Sequence, residues 1–234
     1  MSSSALRERF APAAAPPARI DLQPVADPTV LGSFALASGL IVFGLWFAGA
    51  FGAAGAPKTF FPFVLLFSGV GQLSAALWAY RARDAVAASL HGSWAAFWLG
   101  WGVLWILAVA GTVAVPPPGD AFPSLGMWLM YMAVITWTTA AAALAQGIGA
   151  FFAQGILGAG ALIAAIALDS GTLYLRHAAG WVFVAAAAVL FYSGAATMLD
   201  NAAGKHLLPV LRWGEEQPEP IQVESGDPGV KVGQ

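Results

Sequence analysis

The sequence predicts an all-α, polytopic membrane protein with six transmembrane helices. Three observations predict it. Between Leu31 and Leu199 only seven residues carry a formal charge: Lys58, Arg81, Arg83, Asp84, Asp120, Asp169 and Arg176. Each stands between long apolar runs. The chain is 59% hydrophobic and only 9% charged. Its runs are apolar all round rather than along one stripe, so the expected solvent is lipid. A spanning β-barrel would alternate apolar and polar residues with period two, and these runs do not.

One span needs about 20 apolar residues. The charge-free run from Ala121 to Leu168 is too long for one helix and must hold two helices and a turn. In chain order the spans fall at roughly 31–53, 60–80, 92–114, 122–145, 149–168 and 177–199. Pro and Gly punctuate where loops are needed. Gly52 to Pro57 closes the first span, Pro116, Pro117, Pro118 and Gly119 end the third, and Asp169, Ser170 and Gly171 end the fifth. Gly71, Ala75 and Ala79 make a small face on the second span, packed within the chain or against another subunit. His91, Trp94, Trp98, Trp101 and Trp105 share one face of the third, as an internal aromatic seam or a lipid-facing ridge.

Residues 1–26 are expected to form a disordered cytoplasmic tail, 27–210 the six-helix transmembrane domain, and 211–234 a second disordered cytoplasmic tail. The N-terminal stretch lacks the apolar centre of a signal peptide, which makes the first span an uncleaved anchor. Six spans put both termini on one side, with Arg7, Arg9, Arg19, Arg81, Arg83, Lys205, Arg212 and Lys231. The other side holds Lys58 and Arg176. Positive charge stays inside, so both termini are expected in the cytoplasm and the spans in the plasma (inner) membrane.

The absence of cysteine excludes disulfides and thiolate chemistry. A net charge of −2 gives no reason to expect nucleic acid as a partner. His91, His177 and His206 fall at span ends or in the tail, without metal-ligand spacing, and no serine sits in a nucleophile elbow. An enzyme, a metal or a cofactor is therefore not expected. The central portions of the spans hold no ionisable residue, which argues against a carrier with a charged midplane site. What remains is a narrow path lined by hydroxyls, amides, aromatics and helix ends. Asp27 and Pro28 are good helix-start chemistry, and the same helix end presents free N–H groups to an anion. Gln72 is either an interhelical hydrogen bond or a polar step in a solute path. Ser33, Ser38 and Ser93 offer hydroxyls.

Residues Ala26 to Leu36 (Ala-Asp-Pro-Thr-Val-Leu-Gly-Ser-Phe-Ala-Leu) resemble the Asn-Pro-Ala-Pro-Leu-Gly signature of the acetate uptake transporter family, the YaaH-like proteins. Three further stretches resemble it in the same order. They are Phe60 to Phe63 leading to Gly69, Val70, Gly71 and Gln72 and on to Trp78, Ala79 and Tyr80; Gly92 to Leu99; and Leu207 to Val210. The resemblance implies a six-helix protomer, assembled as a homo-hexamer in the bilayer, that moves acetate, and in some members succinate, through a narrow pore with an apolar constriction. It places Asp27, Pro28, Leu31 and Gly32 on the signature and Gln72 on a second-helix glutamine. Leu36 and Trp94 fall on constriction positions, and Leu157 or Leu162 on the fifth-helix one. Asp27 stands where the family has Asn, Val30 replaces the second Pro, and Leu36 replaces a bulky ring. Three functions follow as expectations: passage of small monocarboxylates, channel-like or with a proton; passage of another small solute such as ammonium; or a membrane scaffold without transport.

Overall fold

A computed structural model describes residues 26–203 and 205–211. The tails expected at 1–26 and 211–234 lie almost wholly outside these, as do Arg7, Arg9, Arg19, Arg212 and Lys231. Six helices are long and apolar enough to cross a membrane. They are α1 (Pro28–Phe47), α2 (Pro57–Arg81), α3 (Ala85–Val109), α4 (Pro123–Ala143), α5 (Ile148–Ser170) and α6 (Leu173–Ala203). The fold class is as the charge spacing predicts.

The boundaries follow capping more closely than hydropathy. Asp27 caps α1, its carboxylate accepting from Thr29 N at 2.9 Å, with Pro28 at the first turn. Asp84 caps α3 in the same manner, accepting from Ala87 N at 2.9 Å. That cap starts α3 well before the expected residue 92, and His91 therefore lies inside the helix rather than at its end. Gly49 and Gly111, with φ of 71° and 73°, follow the ends of α1 and α3 in the left-handed region that glycine tolerates. α6 extends about a turn beyond the expected 177–199 at its start, enclosing Arg176, and past its end, enclosing Asp200.

α2 is not uniform. Pro62 removes a backbone donor, and the next stretch, Val64–Val70, winds as a π-helix before α geometry resumes at Gly71. The bulge buries Ser68, whose hydroxyl lies 3.0 Å from that of Ser38 on α1.

The helices pack as a ring in sequence order, α6 returning against α1, with α1 and α3 also in contact across the middle. Small residues set the close approaches. A Cβ on Gly44 of α1 would lie 2.8 Å from Gly180 O, and one on Gly180 of α6 would lie 2.6 Å from Gly44 O. Ala75 and Ala79 are buried, and a Cβ on Gly71 would meet Ala35 at 3.2 Å. The small face of α2 thus packs within the chain. The Trp face of α3 is the internal seam, since Trp94, Trp98, Trp101 and Trp105 are all buried. Large apolar side chains left uncovered, among them Phe63, Met127, Tyr131 and Phe191, point away from the core.

The segment after α6 folds back on the same end of the bundle. Asp200 accepts from Leu207 N at 2.8 Å and its other oxygen meets His206 Nδ1 at 2.9 Å. Tyr192 OH donates to Pro209 O at 3.0 Å.

Substituting Gly180→Ala is expected to cost about 1–3 kcal/mol by overpacking the α1–α6 contact. Gly100→Ala, where an added Cβ meets nothing within 4 Å, is expected to cost nothing. The midpoint of thermal unfolding in detergent checks both.

Candidate functional site

Four helices, α1, α3, α5 and α6, run from one cavity to another, and the order of their side chains is the same in each. At the end of the bundle that carries the described termini lies a cavity of about 370 Å³. Asp27, Thr29 and Ser33 of α1 line it, with Leu90 and His91 of α3, Ala153 and Gln154 of α5, and Ser193 and Thr197 of α6. Asp84, Gln146 and Val210 complete its rim. At the opposite end lies a smaller cavity of about 30 Å³. Trp46 and Phe47 of α1 line it, with Trp101 and Trp105 of α3, Leu168 of α5 and Arg176 of α6. The Pro116–Gly119 loop covers it.

Between the cavities every one of these helices is apolar and sealed. α1 contributes Leu36, Leu40 and Phe43; α3 contributes Trp94, Phe97 and Trp98; α5 contributes Leu157, Ala161 and Ala164; α6 contributes Phe183 and Ala186. All are at most 2% exposed. From His91 to Trp101 the helix rises about 15 Å. Phe43 is the hub, with ring centroids 5.7 Å from Trp98, 5.7 Å from Trp101 and 5.8 Å from Phe183. Aromatic pairs at these separations prefer tilted and edge-on geometry, which interlocks the rings across three helices.

Polar groups near the seal are mostly turned to one another. Trp94 Nε1 donates to Thr136 Oγ1 of α4 at 3.1 Å, and that hydroxyl donates on to Met132 O at 2.7 Å. Gln72 Oε1 lies 3.4 Å from His91 Nδ1. Four buried polar atoms among the described residues find no partner: Gln72 Nε2, Trp98 Nε1, Trp105 Nε1 and Gln154 Oε1. Gln154 lines the larger cavity and Trp105 the smaller. Among the described residues no cluster of His, Cys, Asp or Glu could hold a metal ion.

The structure gathers some of the residues singled out in the sequence and scatters others. Leu36, Trp94 and Leu157 belong to the seal, each 0% exposed. Leu162 is only partly buried at its margin. Asp27 and Ser33 line the larger cavity, and Pro28 starts the helix beside them. Asp27 is already engaged, since Thr29 Oγ1 also donates to it at 2.6 Å. Gln72 is fully buried behind His91 and reaches neither cavity. Leu31 points outward, 41% exposed. Ser93 donates back to Ser89 O and Leu90 O on its own helix, and Ser38 to Ala35 O.

Sequence reasoning passed over Phe43, Phe183, Thr136, Gln154 and the burial of His91 and Arg176. Of these only His91 carried a readable signal, through its place in the stripe that runs to Trp105.

A six-helix membrane bundle, polar at its two ends and sealed by aromatics between them, is the class of protein that this geometry defines. The model of the GPR1/FUN34/yaaH family matches residues 8–212, and the chain belongs to that family. Among curated proteins none matches significantly. Of solved structures, the chain is similar to that of the bacterial acetate channel SatP, with a TM-score of 0.71 and 22% identity over 80% of this chain and 99% of that one. At that identity the likeness establishes the shared fold.

Substituting Thr136→Val keeps the shape of the side chain and strands the buried Trp94 N–H. The expected loss of stability is about 1–3 kcal/mol, read from thermal unfolding in detergent against wild type.

Proposed function

We propose that this chain carries small monocarboxylates such as acetate across the membrane, through the axis that joins its two cavities. The observation that carries the reading is the arrangement of α1, α3, α5 and α6, each passing from a polar cavity through an apolar seal to a second cavity. Membership of the family and the likeness to an acetate channel support it. Residues 27–210 form the transporting domain, with both termini in the cytoplasm and the spans in the inner membrane. Each protomer of a homo-hexamer holds its own path. Leu36, Trp94 and Leu157 form the constriction. Asp27, Pro28 and Ser33 belong to the mouth at the terminal end. Gln72 acts indirectly, by holding His91, and Leu31 and Ser93 support the helices that frame the path. The chain is a transporter and not an enzyme, and needs no cofactor.

The physics favours a small solute close to neutrality. A small carboxylic acid titrates near the glutamate value of about 4.3. Moving a bare carboxylate through about 15 Å of aromatic packing costs far more than moving the neutral acid. The seal must part for either, and the neutral acid needs no polar partner while it crosses. From pH 7 to pH 5 the neutral fraction rises about eightyfold. Uptake of labelled acetate into proteoliposomes is therefore expected to accelerate steeply over that range. Uptake no faster than into protein-free vesicles, at every pH, would defeat the reading.

A second reading, passage of a cation such as ammonium, is favoured by one observation: Asp27 and Asp84 line the larger cavity, and among the described residues no Lys or Arg does. Asp27→Asn separates the two. Acetate flux is expected to hold or rise, since an amide still caps the helix and a like charge is gone. A fall in ammonium flux, with acetate flux unmoved from the protein-free level, would select the cation instead.

Within the seal, Trp94→Ala is expected to relax size selection. The ratio of propionate or butyrate uptake to acetate uptake should rise, while Leu162→Ala at the margin should leave the ratio as it is.

A further inference from the structure

The smaller cavity holds an unusual cation. Arg176 is 6% exposed, yet no carboxylate among the described residues pairs with it. Nη2 donates to Trp46 O over a long 3.4 Å. The guanidinium carbon lies 4.5 Å from the centre of the Trp46 ring and 4.6 Å from that of Phe47. Stacking uses the flat face of a guanidinium, whereas its five N–H donors lie in the plane at its edge. The two rings therefore hold Arg176 in place while leaving most of its donors unused. A buried charge of this kind is costly unless something pairs with it. In the wall of the same cavity, Trp105 keeps an indole N–H without an acceptor.

The space admits about two or three waters or one small guest. It measures about 30 Å³, and a single water needs about 10–15 Å³ by the same measure. A planar carboxylate head matches the guanidinium edge with two parallel hydrogen bonds, and its short alkyl end suits walls of Trp, Phe and Pro. The larger cavity is also lined by carboxylates, Asp27 and Asp84, but among the described residues it has no Lys or Arg to offset them.

We propose that the smaller cavity is a carboxylate-binding site on the transport path. Arg176 takes the carboxylate head of the solute, and Trp105 donates a further hydrogen bond. Asp120, also in the wall, disfavours the bound anion and keeps the site from holding it too long. This assignment rests on the transport reading for its purpose, and on the unpaired donors for its chemistry.

The test compares wild type, Arg176→Gln, Arg176→Lys and Trp105→Phe in two assays. One is uptake of labelled acetate and of acetamide, its neutral isostere, into proteoliposomes. The other is the shift in thermal unfolding that acetate produces in detergent. Arg176→Gln is expected to raise the acetate KM about tenfold, the loss of one charge-assisted pair, and to abolish the acetate-induced shift. Acetamide uptake should not change. Arg176→Lys should recover part of the loss. Trp105→Phe removes the N–H while keeping an aromatic side chain and should raise KM about threefold; it decides the matter if Arg176→Gln does not fold. An unchanged KM in the folded variants, or equal losses for acetate and acetamide, would overturn the site. If acetate stabilises wild type but does not cross, the transport reading falls and the site stands. If it does neither, both fall.

Discussion

Hydrocarbon offers no partner for a hydrogen bond, and the molecule is ordered by that constraint. Every backbone N–H and C=O at membrane depth must be answered within a helix. The six spans are therefore long and continuous, and even the proline in α2 is absorbed by a wider turn rather than a break. Side chains obey the same rule. Ser74, Ser93, Thr138 and Thr139 return their hydroxyls to carbonyls on their own helices. Most of what is not answered locally is moved to the ends or paired across helices, as Trp94 is with Thr136, while Trp98 Nε1 in the seal and Gln72 Nε2 behind it keep no partner. A polar cavity at one end, a small cavity holding one arginine at the other and an apolar centre are the outcome.

With no hydrophobic drive between helices in lipid, packing alone must hold them. Two devices supply it here. Glycines at the α1–α6 contact bring backbones within reach of each other, and the rings around Phe43 lock three helices at the centre. The first device sets the geometry of the ring of helices and the second fills it. The same rings that hold the bundle together are the ones that separate its cavities, so stability and closure share one set of contacts.

Much of this was legible in the sequence. The spacing of seven charges is enough for six helices, because a charge at membrane depth is too costly to be placed at random. The stripe from His91 to Trp105 marked one face of α3, and its burial showed that face to be the inner one. Helix ends were less legible. Hydropathy starts α3 near residue 92, yet Asp84 is a capping residue directly before an apolar run, and capping sets the true start. That displacement put His91 inside the fold. Pairing of hydroxyls was not legible at all: Ser38 and Ser93 are equally polar on paper, and only coordinates reveal that they are spent on carbonyls. A sixth span beginning at 177 leaves Arg176 just outside the helix, whereas α6 begins at Leu173 and encloses it. Its burial depends on Trp46 and Phe47, residues distant in sequence, that periodicity does not bring together.

The dry centre also has an electrical meaning. A membrane voltage falls mainly across the layer that polarises least, and that layer includes the apolar stretch between His91 and Trp101. A unit charge moved through it against the potential does work of about 2.3 kcal/mol for each 100 mV. In a cell that is negative inside, an anion drawn inward meets that full opposition, roughly a fiftyfold bias, while an uncharged molecule does not feel the voltage. Placing a thick insulating layer of rings between its two cavities thus makes the sign of the cargo an energetic matter for the whole cell.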